Sequence, residues 1–338
     1  MSAEIRSTTG PPALPGWLSK QLVHLLSQRG HAWLLAGPSG LGQYSLALAL
    51  SRAWLCDKRT PQGACGECGS CHAIDVRAHA DLCVLMPESD MVALGWPLGE
   101  KAQSEVDDKK RKASKEIRVD AMRDAVEFSQ RTSARGRGKV VLVFPAQRMN
   151  NITANALLKT LEEPPGDVKF VLATESAHQL LPTIRSRCLG HTMVWPQTDD
   201  ALAWLEAAGL QAADAAVLLR ASGGRPEDAL AHLGCGRDPL QWASLPRAVA
   251  RGDASVFKDW SAPQAIDALQ KMCHDMLATK AGAAPRFFAA SDLPAAGSYS
   301  SLTRWARALM EAARTMEHPF NSALMTEALT SQAQNAIN

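Results

Sequence analysis

The sequence predicts an α/β fold built on a parallel sheet, followed by helical segments to the C-terminus. Three observations predict it. Short apolar runs alternate with helical stretches over residues 1–194. A glycine-spaced turn, "GPSGLGQY" at 37–44, joins the first apolar run to a helical one. After about residue 195 the strand signal fades into Ala- and Leu-rich segments with Gly breaks.

The elements follow in order. "AWLLAG" (32–37) ends in glycine and reads as a buried parallel strand. "QYSLALALSRAWLC" continues it as a helix, so strand, Gly-rich turn and helix are consecutive. Further strands are read at "LCVLM" (82–86), "VVLVF" (140–144) and "FVLAT" (170–174). Helices lie between them, at roughly 119–131 and over "NITANALLKTLEEPP", which Pro164 and Pro165 stop. Such alternation makes βαβ units and a sheet covered on both faces.

A length of 338 residues predicts two or three domains. We place them at 1–194, 195–237 and 238–338, with a Gly-Arg-Asp-Pro turn at 236–239 marking the second boundary. With 46% hydrophobic and 21% charged residues, a packed soluble core is expected. The net charge of +2 does not point to a nucleic-acid binder, so such a role would have to rest on local charge. The N-terminus lacks a basic start followed by an apolar stretch, and the longest uncharged run (31–51) is broken by turn residues and hydroxyls. A cytoplasmic protein without membrane attachment is expected.

Residues 87–116 look inserted. Lys101 to Glu116 mixes both signs with few apolar groups, which predicts a solvated, mobile loop without a core.

Cys56, Cys65, Cys68 and Cys71 have the spacing of a structural zinc module (56–71). Two short CxxC steps let the backbone wrap one metal, and four protein ligands leave no position open for water. Disulfides, or His72 in place of Cys71, are the rival readings. Cys83, Cys188, Cys235 and Cys273 are scattered and expected as small apolar residues.

The turn at 37–44 keeps Gly37 and Gly42 of a phosphate loop but loses its chemistry. Lys and Ser/Thr, which hold the phosphates and Mg²⁺, are replaced by Gln43 and Tyr44. The strand "KVVLV" ends in Phe144-Pro145, where acidic residues would hold the metal. The glycines still serve the turn. The reading is a degenerate loop that does not bind ATP in its own chain.

At this point the chain resembles the delta-prime subunits of bacterial DNA polymerase III clamp loaders, members of the AAA+ superfamily. The resemblance is carried by "GHAWLLAGPSGLGQYSLALALSRAWLC", the cysteine module, "IRVDAMRD", "KVVLV", "NALLKTLEEPP", "FVLAT" and "TIRSRC", with "HPFNSALMTEAL" near the C-terminus. The gamma/tau ATPases carry a similar cysteine module. The lost Lys and acidic residues separate the two. At "GGRPEDAL", Glu227 stands where an active member has its sensor Arg, and Arg225 is out of register.

The resemblance implies an AAA+ domain with a zinc insert, a helical lid (195–237) and a helical collar (238–338) in a hetero-pentamer with delta and gamma/tau. It implies a non-hydrolysing stator that helps place the β sliding clamp on primed DNA. It also implies membership of the DNA polymerase III holoenzyme, although no residues here resemble a polymerase active site. Ser186-Arg187-Cys188 would be a trans-acting arginine finger aimed at ATP on a neighbouring gamma/tau subunit. From the residues alone, Arg187 reads as an ordinary surface or cap arginine, as does Arg185. Two rivals stay open: an active ATPase with atypical residues, and a zinc-module nucleic-acid binder. Against the second, 56–71 holds only Lys58 and Arg59 opposite Asp57 and Glu67. Arg118, at a predicted helix start, is read as a salt-bridging residue, with phosphate contact as the alternative.

Overall fold

The structure, a computed structural model, describes residues 14–108, 110–234, 238–295, 297–315 and 322–337. The chain forms two compact units, 1–196 and 197–338.

The first unit is an α/β domain. Its strands are β1 (Ala32–Ala36), β2 (Leu82–Leu85), β3 (Lys139–Val143), β4 (Val168–Thr174) and β5 (Leu189–Thr192), in the order β2-β3-β4-β1-β5. Every pairing is parallel. The helices are α1 (Gly16–Ser27), α2 (Gln43–Leu55), α3 (Gly69–Asp75), α4 (Glu88–Ala93), α5 (Glu100–Asp107), α6 (Val119–Gln130), α7 (Asn151–Glu162) and α8 (Pro182–Arg185).

Alternation along the strands divides the side chains between two covered faces. Leu34, Val141, Val143, Phe170 and Leu172 pack with Met122 of α6 and with Leu157 and Leu161 of α7. Trp33, on the opposite face from Leu34, packs against Trp54 of α2, with ring centroids 4.6 Å apart and the planes tilted by 39°. α7 begins where the Asn150 side chain accepts from the N–H of Thr153, and it ends at Glu162, before the two prolines. The register pairs Ala36 with Thr174 and Val143 with Leu172. Gly37 and Phe144, the next residues of β1 and β3, therefore leave the sheet at the same carboxyl edge. Ligands of open α/β sheets bind at that edge.

Two expectations need correction. β5 was not read from the sequence, because "LGHT" is a short, largely exposed edge strand without an apolar run. The 87–116 segment is not a loop throughout: it carries α4 and α5, and Trp96 and Leu98, ahead of the charged stretch, are buried, whereas no described residue of 101–116 is. The buried carboxylate of Glu88 accepts from Arg111 Nη2 at 2.8 Å and from the N–H of Ser114 at 2.8 Å. Arg111 and the Ser114 N–H hold that carboxyl below the ordinary range against the opposing effect of burial.

The second unit is helical: α9 (Thr198–Ala207), α10 (Ala212–Ala221), α11 (Pro226–Gly234), α12 (Pro239–Ala250), α13 (Ala262–Lys280), α14 (Tyr299–Thr315) and α15 (Ser322–Ile337). It holds two apolar clusters. One joins Ala201, Leu205, Leu218 and Ala229. The other joins Trp242, Leu269, Met272, Leu302, Trp305 and Leu329. Gly236 and Arg237 of the expected boundary turn, Cys235, and residues 318–321 of "HPFNSALMTEAL" lie outside the described residues. No helix among the described residues is long and apolar enough to cross a membrane.

Candidate functional site: a filled phosphate loop, a cysteine cluster and Arg187

The loop after β1 keeps its turn for reasons internal to the chain. Gly42 caps α2 at φ +92°, and Gly40 has φ +75°, a region that side chains resist. A Cβ on Gly37 would lie 2.7 Å from Cβ of Met193. Packing on the strand-end residue Met193 therefore excludes any side chain at that position.

Gln43 is buried and turns back into the loop. Its Nε2 donates to the carbonyls of Gly37 at 2.8 Å and Pro38 at 2.6 Å. A lysine in a working loop would send its ammonium outward to phosphate; this amide instead closes the loop on itself. The Tyr44 hydroxyl accepts from the indole N–H of Trp96 at 2.7 Å, and its ring lies 5.5 Å from that of Phe144. Burial raises the Tyr44 phenol above its ordinary pKa, so it stays protonated at neutral pH. The Arg77 guanidinium covers Trp96 at 4.7 Å from the ring centroid. An aromatic cluster from three separate segments thus stands where the loop and the β3 end would share a metal. Trp96 comes from the inserted segment, and nothing local in the sequence pairs it with Tyr44, 52 positions away.

This arrangement predicts the outcome of two substitutions. Trp96→Ala, which leaves a cavity beside Tyr44, should cost about 3–5 kcal/mol. Trp96→Phe should cost about 1 kcal/mol, mainly the lost hydrogen bond. Urea unfolding monitors both. Equal, near-zero effects would show that the segment does not pack here.

The cysteine cluster is built by the C-cap of α2 (Cys56), the turns that follow it (Cys65) and the start of α3 (Cys68 and Cys71). Sγ atoms of Cys56, Cys65, Cys68 and Cys71 all lie within 4.8 Å of one another. Cys56 Sγ is 3.5 Å from that of Cys65 and 3.8 Å from that of Cys68. A tetrahedron of Zn–S bonds of about 2.3 Å has edges of about 3.8 Å. The described cysteines are all free, and His72 is exposed while Cys71 is buried. Backbone N–H groups of Cys65 and Cys71 point to the sulfurs of Cys56 and Cys68, at 3.3 and 3.4 Å. Backbone N–H groups of Glu67 and Cys68 bring the Cys65 thiol down to about 6, whereas burial pushes Cys71 up to about 12. A divalent cation would let all four ionise together, so the donor set fits Zn²⁺.

A hydrogen-bonded frame surrounds the cluster. Asp57 accepts from Ser70 Oγ at 2.9 Å, Arg135 donates to Ser70 Oγ at 3.1 Å, and Arg137 donates to the carbonyl of Asp57 at 2.7 Å. The buried Asp81 anchors that arginine loop through the N–H groups of Ala134 and Arg135 at 2.8 and 2.9 Å.

Arg187 follows α8. Its Nε donates to Oε1 of Glu162 at 2.7 Å, Nη2 donates to the same oxygen, and Nη1 donates to the carbonyl of Thr183 at 2.8 Å. Arg185 is exposed, and its side chain makes no hydrogen bond or ion pair among the described residues. Arg118 stands at the start of α6 with its guanidinium 3.7 Å from Glu88. In the second unit, Arg225 pairs with Asp228 at 2.9 Å. Glu162, Trp96 and the Asp81 frame were missed in the sequence. Of these, only Glu162 lay inside a motif already singled out.

Fold and site define a class: an α/β domain with a strand, glycine turn and helix in which Gln43 bonds back to the turn's own carbonyls. A family profile described as "DNA polymerase III, delta subunit" matches residues 18–194. DNA polymerase III subunit delta' of Pseudomonas aeruginosa is 39% identical over 202 residues, covering 59% of this chain and 55% of that protein. The subunit delta' of Escherichia coli is 32% identical over 276 residues, covering 75% of this chain and 76% of that protein. The chain belongs to the DNA polymerase III delta' subunit family. The crystal structure of a DNA polymerase III gamma subunit-related protein from Thermotoga maritima shares the fold. Its TM-score is 0.52 at 17% identity, with 95% of this chain and 100% of that one covered.

Proposed function

We propose that the chain is a non-hydrolysing stator subunit of a DNA polymerase III clamp loader. It assembles with delta and gamma/tau subunits in a hetero-pentamer and helps load the β sliding clamp onto primed DNA. Arg187 acts in trans on ATP held by a neighbouring gamma/tau subunit. The observation that carries this reading is Gln43 folded back onto Gly37 and Pro38, beside the Tyr44–Trp96–Phe144 cluster. A chain that lacks the lysine, the small hydroxyl and the acidic strand end of a working site, yet has an anchored arginine after "TIRS", is suited to act on another chain's nucleotide.

On this reading 1–194 is the AAA+ domain, 195–237 the lid and 238–338 the collar that holds the assembly. Cys56, Cys65, Cys68 and Cys71 hold one structural zinc. Bound there, zinc would tie Cys56 at the end of α2 to Cys68 and Cys71 of α3, and four protein ligands would leave no position for chemistry. The test is reconstitution with gamma/tau, delta and clamp. The reading expects one stable complex whose DNA-dependent ATPase requires this chain. A chain that neither copurifies with these partners nor raises their ATPase would be doing something else.

Restoring the missing loop residues should not create an ATPase. Gln43→Lys with Tyr44→Thr replaces the phosphate and magnesium contacts but leaves Phe144 and Pro145 at the β3 end. No base or metal ligand is supplied there, so turnover should stay at background. A phosphate-release assay on the double variant checks this. Turnover of about 1 per second, within the usual enzyme range, would contradict it.

A further inference from the structure

Arg187 has an acidic partner for which the proposed function gives no role. Glu162, the last residue of α7, accepts two N–H groups of the guanidinium on one oxygen. A guanidinium carries five coplanar N–H donors and can fork onto an anion along more than one edge. Here Glu162 holds the Nε–Nη2 edge, and Nη1 is tied to the Thr183 carbonyl. One N–H of Nη2 is left over, and the second of Nη1 has only a 3.4 Å contact with Ser186 Oγ. On the outer edge, one N–H of Nη2 is therefore left for a ligand, beside the weakly held second N–H of Nη1, while the plane is fixed from behind. The pair is partly solvated, with side-chain exposures of 30% for Arg187 and 47% for Glu162, so it adds little to folding stability. Its consequence is orientation. Arg185, two residues earlier, has no comparable anchor.

We propose that Glu162 is a positioning residue. It sets the guanidinium plane of Arg187 so that the outer edge meets the terminal phosphates of a nucleoside triphosphate carried by another chain. The proposal rests on the trans reading of Arg187. A flexible arginine must be ordered at each turnover, whereas an anchored one is already placed. Glu162 should thus affect the chemical step and leave nucleotide binding alone.

The test uses the reconstituted complex in which the trans arginines of the other subunits have been replaced, so that only the site facing Arg187 turns over. Glu162→Ala should lower kcat there about ten- to a hundredfold, with KM for Mg-ATP unchanged. Glu162→Gln keeps an oxygen for the same two N–H groups and should recover most of the rate. Adding Glu162→Ala to Arg187→Ala should change nothing further. In the uncomplexed chain, the Nε–H of Arg187 should exchange slowly in wild type and in Glu162→Gln, and fast in Glu162→Ala. If Arg187→Ala slows turnover and Glu162→Ala does not, the positioning role is wrong and the trans arginine stands. If neither slows it, both fall. Faster turnover in Glu162→Ala would make Glu162 a competitor for the arginine. Equal losses in the Ala and Gln variants, or a loss that persists without Arg187, would make it a purely structural residue. Each of these results overturns the proposal.

Discussion

Arg187→Ala is expected to lower turnover at the ATP site it faces by about 10³–10⁵-fold, the range that arginine fingers supply. By rate arithmetic this is roughly 4–7 kcal/mol of barrier. The guanidinium would stabilise charge that develops only during phosphoryl transfer, so the effect should fall on rate and not on assembly. The whole complex should lose less than a single site, because its other sites would take their arginines from gamma/tau subunits. Arg187→Lys should rescue poorly. A point charge cannot reproduce the planar fork that here engages Glu162 and Thr183 at once. Arg185→Ala is the control. Steady-state ATPase of the reconstituted complex checks all three. Full activity with Arg187→Ala would make this residue an ordinary α8 cap and remove the reason to assign it a role in trans.

The second large effect is that of the metal. One tightly held zinc per chain is expected, and its removal should unfold the 56–71 module. Structural zinc contributes about 10–16 kcal/mol of apparent binding free energy in small modules. Cys68→Ser is an informative variant because Cys68 also caps α3, its sulfur accepting from the N–H of Cys71. Serine keeps a capping oxygen, so the loss reports the metal and not the cap. The frame from Asp57 through Ser70 to Arg135 and Arg137 ties the module to the loop before β3, so that loop should loosen too. The helical second unit, with its own apolar clusters, should stay folded. Metal analysis of protein purified without added zinc, followed by hydrogen exchange, tests this. A metal content near zero with four free thiols and a protected module would refute it.

Much of the fold was legible because buried parallel strands write themselves as continuous apolar runs. "AWLLA", "LCVL", "KVVLV" and "VKFVLAT" are of this kind. β5 was not, since an exposed edge strand needs only backbone pairing, and "LGHT" carries no apolar signature. The loop reading of 87–116 missed α4, α5 and the buried residues ahead of Lys101 because a few contacts are averaged away by composition. These are the buried Trp96 and Leu98 and the Glu88–Arg111 pair. The cysteine cluster was legible because its four cysteines are close in sequence, and the structure groups the buried Cys71 with the other three while His72 is exposed. At the loop, the sequence showed that chemistry was lost but not what replaced it. The Trp96–Tyr44 hydrogen bond and the Arg187–Glu162 pair join residues 52 and 25 positions apart. Only folding brings them together.

The central claim is that this chain's nucleotide loop is filled from within, leaving the protein to act on a nucleotide it does not hold. Calorimetric titration of the isolated wild-type chain with Mg-ATP tests it most directly. Gln43 offers no ammonium and is bonded to the loop carbonyls, and Tyr44, packed with Trp96 and Phe144, stands in the place of the small magnesium ligand, so no saturable heat is expected at micromolar nucleotide. A saturable isotherm with a Kd in the micromolar range, abolished by removing magnesium, would contradict the account.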